Sequence, residues 1–288
     1  TTTVPGSVLL NVGFCPLKSV DDHDASWQKQ RQEALTTSYY ELRVHVYQAS
    51  DLPPADDDGS LDPYLKIKFA DQKANWKRRY IPNTRDPVWY CTEVFSNLLL
   101  PPRQYMPRIA ITVWDHDKVT SDDKVGHIWF SPCDDRMIVD RAPTAMLPKP
   151  EWYPLCFEDG TKQPDGKLLL NFQLLPAGSG VSSLPEPLSI APPMKNAWVE
   201  IVALGLRKLK PSGIISKKAT RPFLRFILGK ASQGTRGGPI VKYETRRSNR
   251  PSAKDPNFLQ RIIIPCRLPI DPLFAPSLNV LVCDSRLG

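Results

Sequence analysis

Two stretches decide how this chain folds: Val113-Trp-Asp-His-Asp-Lys-Val-Thr-Ser-Asp-Asp-Lys-Val-Gly126 and Pro54-Ala-Asp-Asp-Asp-Gly-Ser-Leu-Asp-Pro-Tyr64. Each hangs an acidic loop on the end of a strand-like run. In each, two acids stand six positions apart, Asp56 with Asp62 and Asp117 with Asp123. On extended chain, Asp115 and Asp117 project to one side and His116 to the other. If the two strands run in the same general direction, a sandwich brings both loops to one end. Five carboxylates, those of Asp56, Asp62, Asp115, Asp117 and Asp123, then converge. At about 4 Å and an effective dielectric of about 20, each like-charged pair costs on the order of 4 kcal/mol. Without a counterion the loops splay or the carboxyls hold their protons. A hard cation removes the penalty, and Ca2+, with six to eight oxygens in flexible geometry, suits loops better than octahedral Mg2+. One Asp-rich loop alone reads equally well as a solvated turn. Two loops with matched spacing, in register with strands, favour the ion.

Outward from these loops lies a series of strand signals. Glu41–Gln48 alternates Leu42, Val44 and Val46 with Arg43, His45 and Tyr47, and Tyr64–Phe69 alternates Leu65, Ile67 and Phe69 with Lys66 and Lys68. Val88–Phe95, Ile109–Trp114, Gly126–Phe130 and Lys167–Leu175 continue it. Six or more strands separated by turn residues predict an all-β, antiparallel sandwich. Ahead of the series, Ser7–Val12 reads as a strand and Asp24 as the cap of a short helix over Ala25–Leu35. Residues 177–195 are rich in Pro, Ser and Gly and read as a linker. A second strand series follows: Trp198–Leu204, Phe223–Leu228, Ile240–Thr245, Gln260–Pro265 and Leu278–Cys283. It holds about five strands where a sandwich of this kind has about seven, so a truncated second unit is expected. The expected division is thus 1–35, which includes the tail of a preceding domain, then 36–176, 177–195 and 196–288.

Composition narrows the function. The 288 residues carry a net charge of +8, unevenly distributed. Residues 194–288 hold 18 Lys and Arg against 5 Asp and Glu, a net of +13; the remainder holds 20 against 25. Two units with different electrostatic roles are implied. No apolar run approaches the roughly 18 residues of a membrane span, and Thr1–Pro5 lacks the pattern of a signal peptide. The six cysteines lack Cys-x-x-Cys spacing, which points to reduced thiols in a cytosolic setting. His23, His45, His116 and His127 stand near no Ser or Cys nucleophile motif, and no Gly-rich phosphate loop occurs, so no enzyme is expected. Aromatic interleaving in the basic half is poor, which argues against nucleic acid.

The run Glu41–Gln48, Ser60-Leu-Asp-Pro-Tyr-Leu-Lys, Asn83-Thr-Arg-Asp-Pro-Val-Trp89, Val113-Trp-Asp-His-Asp and Asp123-Lys-Val-Gly126 resembles a C2 domain over residues 41–175. The resemblance implies an eight-stranded antiparallel sandwich whose apical loops bind calcium and then phospholipid. Asp56, Asp62, Asp115, Asp117 and Asp123 match its five ligand carboxylates. With Gly166–Leu175 as last strand, the order resembles the permuted, type II-like topology. The second unit, with Ala197-Trp-Val-Glu-Ile-Val-Ala-Leu-Gly-Leu-Arg-Lys-Leu-Lys210, Asp255-Pro-Asn-Phe258 and Leu278–Arg286, is similar to a degenerate, basic C2-like neighbour in ferlins. Ferlins are tail-anchored proteins of vesicle docking, fusion, exocytosis and membrane repair. That resemblance implies a cytoplasmic protein, peripheral at the cytosolic face of a vesicle or plasma membrane, its anchor outside this chain. Fusion-machinery proteins are implied partners.

The second unit departs from the calcium pattern. Lys208–Arg221 has no carboxylate, and Asp284-Ser-Arg286 lacks a second Asp, so no calcium is expected there. Lys208, Lys210, Lys217, Lys218 and Arg221 instead form a basic loop for acidic lipid or a docking protein. In the first unit, calcium reverses the sign of the loop tips so that anionic headgroups complete its coordination, with Leu61 and Val119 as shallow tip contacts. Asn75-Trp-Lys-Arg-Arg-Tyr80, read as a strand, puts Lys77 and Arg79 on one face, extended by Lys66 and Lys68. That face is either a phosphoinositide contact or a plain solvated surface. The rival to calcium-dependent lipid binding is a calcium-independent protein-interaction scaffold.

Overall fold

A computed structural model of the chain describes residues 20–54, 61–117, 121–139, 147, 149–178, 184–210, 219–228 and 242–285. The strand expected at Ser7–Val12 lies outside them. One helix, α1 (Val20–Leu35), precedes the strands and starts earlier than expected, with Asp24 inside it. The first unit comprises β1 (Ser38–Ser50), β2 (Pro63–Phe69), β3 (Gln72–Asn75), β4 (Val88–Leu100), β5 (Ile109–Asp115), β6 (Lys124–Phe130), β7 (Met137–Val139), β8 (Glu151–Cys156) and β9 (Lys162–Pro176). Eight of these follow one another sideways as β3-β2-β5-β6-β8-β9-β1-β4, every pair antiparallel, while β7 pairs in parallel with β9.

The path turns over on itself where β6 and β8 share a single residue pair, His127 with Cys156. This corner separates two four-stranded faces, β3-β2-β5-β6 and β8-β9-β1-β4. Side chains from both faces fill one core: Leu65, Ile67, Phe69, Ile111 and Val113 from the first meet Leu42, Val44, Val46, Leu168, Leu170 and Phe172 from the second. Phe130 of β6 stacks on Phe172 of β9, with centroids 4.0 Å apart and planes at 19°. β9 pairs with β1 from Tyr40–Pro176 to Ser50–Lys167, so the last strand of the unit closes beside the first, as the permuted order requires. Strand period 2 explains the burial: in β5, Ile109, Ile111, Val113 and Asp115 all face in.

β1 breaks that rule. Its outward residues Arg43, His45 and Tyr47 are as buried as its inward ones, at 2%, 1% and 4% exposure. Sequence alternation alone predicts them half in water. The linker covers them: Arg43 donates through Nη2 to Pro185 O, and Ile190 packs on Tyr47 and Leu169. A 3-10 turn at Pro272–Phe274 adds Phe274, whose ring lies 5.3 Å from Tyr47 and 6.3 Å from Tyr90.

The second unit contains β10 (Met194–Gly205), β11 (Pro222–Leu228), β12 (Lys242–Glu244), β13 (Asn257–Pro269) and β14 (Leu278–Asp284). β10 pairs with β13, and β11 lies between β12 and β14, all antiparallel. Ala203, Leu224, Phe226, Phe258, Ile262 and Ile264 form its small core. Among the described residues Cys91, Cys133, Cys156, Cys266 and Cys283 form no disulfide, and no helix is long and apolar enough to cross a membrane.

Candidate functional site: the acidic apex

The end of β5, the residue before β2 and the residue before β6 meet at one end of the first sandwich. Asp62 N donates to Asp115 Oδ1 (2.7 Å), and His116 N donates to Asp62 O (3.0 Å). Asp115 N donates to Asp123 O (2.8 Å). Asn83, in the left-handed region at φ 54°, donates its N–H to Asp62 Oδ1 (2.8 Å). The segment carrying Asp62 and the distant loop carrying Asp115, Asp117 and Asp123 are thereby stitched together. Asp115 is the innermost, 1% exposed at the end of the inward row of β5. Asp62 and Asp117 are half-buried and Asp123 is exposed. Each of Asp62 and Asp115 uses Oδ1 to hold a backbone N–H, which orients the carboxylate. Asp56, with Asp57 and Asp58, lies outside the described residues.

The structure adds a carboxylate that the six-residue spacing passes over. Asp122 accepts from Tyr64 Oη (2.7 Å), from Lys77 Nζ (2.7 and 2.9 Å) and from Asp117 N (3.2 Å), with His116 Nδ1 at 3.6 Å. Burial by itself raises its pKa, but the bonds from Lys77, Tyr64 and Asp117 N–H outweigh it and hold the carboxyl at about 2. Neighbours on extended chain face opposite ways, so of the pair Asp122-Asp123 one turns inward to the basic network and one stays at the apex. That alternation was the available signal.

A divalent cation is implied by the fold family. The donor chemistry fits a hard ion: oxygen ligands, on loops, with orientations already fixed by neighbouring N–H groups. Among the described residues alone, no three His, Cys, Asp or Glu side chains gather closely enough to hold a metal.

The basic and apolar candidates fare unevenly. Leu61 is 0% exposed in the core and is withdrawn as a membrane contact; its carbonyl accepts from Thr84 N, pinning the loop inward. Val119, Lys217 and Lys218 lie outside the described residues. Lys77–Arg79 forms a 3-10 turn rather than a strand, because Trp76 turns into the core and donates to Glu93 (2.6 Å). Lys77 consequently reaches the Asp122 network, while Arg79 lies 5.1 Å over Trp76 and 3.8 Å from Glu93. Lys66 sits 3.4 Å from the Trp114 ring centroid, and burial lowers its pKa. Lys68 is exposed. The four do not make one free basic face. In the second unit, Lys208, Lys210 and Arg221 are exposed.

Comparison with known proteins matches the first unit to a domain family. The C2 domain family model matches residues 40–155. Myoferlin of Xenopus tropicalis is 27% identical over 265 residues, 86% of this chain and 13% of that protein. Human myoferlin is 28% identical over 265 residues, 86% of this chain and 12% of that protein. The chain thus spans about an eighth of the curated relatives it matches. A solved structure of the paired C2 domains of Extended-Synaptotagmin 2 aligns with 99% of this chain and 81% of that one, at 16% identity and a TM-score of 0.38. Residues 40–155 are a C2 domain, and over 86% of its length the chain is similar to a stretch of the ferlin-family protein myoferlin.

Proposed function

We propose that the chain is a calcium-dependent phospholipid-binding module, acting where vesicle and target membranes dock and fuse. The observation that carries this reading is the hydrogen-bonded junction, at one apex, of the backbone segments that carry Asp62, Asp115–Asp117 and Asp123. With Asp56 these residues would hold Ca2+. The bound ion supplies positive charge and coordination sites for headgroup oxygens. The protein's own part is to fix the carboxylates in advance, so that little folding change accompanies loading. Anionic phospholipid at the cytosolic face is the proposed target, phosphoinositides included. Fusion-machinery proteins are proposed as further partners, and a tail anchor is assigned to the parent protein. The proposed role is binding, not catalysis.

The test is calorimetric calcium titration of the chain, together with sedimentation on phosphatidylserine vesicles with and without calcium. The Asp115→Asn/Asp117→Asn variant keeps an acceptor for Asp62 N. It is expected to lose calcium affinity by about tenfold or more, some 1.4 kcal/mol or above, and with it the calcium-stimulated pelleting. Pelleting unchanged by calcium in the wild type and the variant alike refutes the reading and leaves a scaffold.

A further inference from the structure

The two units share their joints, bond for bond. In the first, the end of β1 is locked to the start of β4 by three hydrogen bonds. Ala49 N donates to Pro87 O (2.9 Å), Asp51 N to Asp86 Oδ1 (3.0 Å) and Leu52 N to Arg85 O (3.0 Å). In the second, β10 is locked to β13 by Leu206 N to Pro256 O (2.9 Å), Lys208 N to Asp255 Oδ1 (2.8 Å) and Leu209 N to Lys254 O (2.9 Å). The counterparts keep one constant offset along each strand. The register shift between Val46 and Gln48, opposite Cys91 and Val88, recurs between Ala203 and Gly205, opposite Gln260 and Asn257. The left-handed residues coincide as well: Asp51 (φ 54°) with Lys208 (φ 55°), and Tyr90 (φ 47°) with Leu259 (φ 47°). Ile81 N donates to Pro63 O, and Ser248 N to Pro222 O, both at 3.1 Å.

This correspondence reaches the apex. Pro63 pairs with Asp115 in β2–β5, and Pro222 pairs with Asp284 in β11–β14. Asp62 N donates to Asp115 Oδ1 (2.7 Å), and Arg221 N donates to Asp284 Oδ1 (2.8 Å). Asp284 therefore stands where Asp115 stands, and Arg221 stands where Asp62 stands. An arginine, charged at every physiological pH, thus takes the chain position of an apical carboxylate residue. Lys208 and Lys210 just past the end of β10 and Lys254 facing them are exposed as well. Among the described residues none of these four forms an ion pair. The nearby carboxylates serve the backbone: Asp255 accepts from Lys208 N, and Asp284 from Thr220 N and Arg221 N.

We infer that the second unit is a charge-inverted copy of the first, whose apex receives an anionic phospholipid surface without calcium. Arg221 and Lys208 are its central contacts. The occupant follows from charge: residues 194–288 carry a net of +13, and exposed Lys208 and Arg221 take the chain positions that Asp51 and Asp62 hold in the first unit. The inference rests on the membrane role proposed above and extends it to a second, ion-independent contact. The chain would then rest on acidic membrane at basal calcium, and calcium would add the first apex.

The test is sedimentation of the full chain in EGTA with phosphatidylcholine vesicles, with and without phosphatidylserine. Wild type is expected to pellet with the phosphatidylserine vesicles and not with the neutral ones. Lys208→Glu/Arg221→Glu is expected to weaken that binding about tenfold or more, and Lys208→Gln/Arg221→Gln, which keeps side-chain length, by a smaller factor. Unchanged thermal melting of either variant ties the loss to charge rather than folding. No pelleting of wild type in EGTA, equal pelleting on neutral vesicles, or unaltered binding by both variants overturns the inference. The Asp115→Asn/Asp117→Asn chain separates the two readings: it retains the EGTA binding if this inference holds, whatever becomes of the calcium response.

Discussion

His45 lies under the linker, its Nδ1 2.8 Å from Thr92 Oγ1. Burial, reinforced by the Arg43 charge and opposed by a side-chain bond to Gln173, lowers its pKa to about 4. The unfolded chain takes up that proton near pH 6.5, whereas the folded one resists until about 4. The contribution to stability is therefore complete above 6.5 and is lost as pH falls through this window, up to about 3 kcal/mol. Urea denaturation from pH 7 to pH 5 is expected to show the loss, and His45→Gln to remove that part of the slope. Asp122 makes a second residue-scale case. Asp122→Asn strips the charge from the Lys77 and Tyr64 bonds and is expected to cost about 1–3 kcal/mol of stability, read by thermal melting in EGTA. Spacing identified Asp123 but passed over Asp122, because the value of Asp122 depends on Lys77 and Tyr64, which only the fold brings to it.

At the scale of elements, the alternation in β5 does two jobs at once: Ile109, Ile111 and Val113 anchor the core, and the next inward position delivers Asp115 to the apex. Strands with clear alternation were legible to within a few residues. β3, β7 and β8 were not. Gln72–Asn75 is a short polar edge paired only to β2, and Glu151–Cys156 carries Pro154; neither shows a period that sequence reading detects. The basic run after β3 misled for a related reason, since a core site for Trp76 outweighs strand continuation and winds Lys77–Arg79 into a turn. Gly166, within β9, sits at φ +86°, and a Cβ there would lie 2.9 Å from Leu155 Cδ1 and 3.0 Å from Pro53 Cδ. Gly166→Ala is expected to destabilise the domain by about 1–3 kcal/mol in chemical denaturation.

Across the whole molecule, the two units are joined by more than a tether. Phe274 packs on Tyr47 and Tyr90, whose hydroxyl donates to Phe274 O at 3.3 Å, and burial raises both tyrosine pKa values to about 12. Phe274→Ala is expected to leave both units folded while weakening their contact by about 1–2 kcal/mol. Hydrogen exchange should then speed up selectively along β1 and β4, and small-angle scattering should report a broader distribution of shapes. If exchange stays unchanged, the contact carries no coupling.

Pattern alone determined the sandwich and the acidic loops, because period-2 alternation and carboxylate spacing are local properties that any extended chain expresses. It also determined the charge contrast between the two halves, which is a matter of composition. Tertiary structure decided the rest: that Arg43, His45 and Tyr47 are interior, that Leu61 is core, that Lys77 serves Asp122, and that Arg221 takes the place of Asp62. Each of these depends on a partner distant in sequence, and burial or pairing with such a partner exists only once the chain has closed on itself.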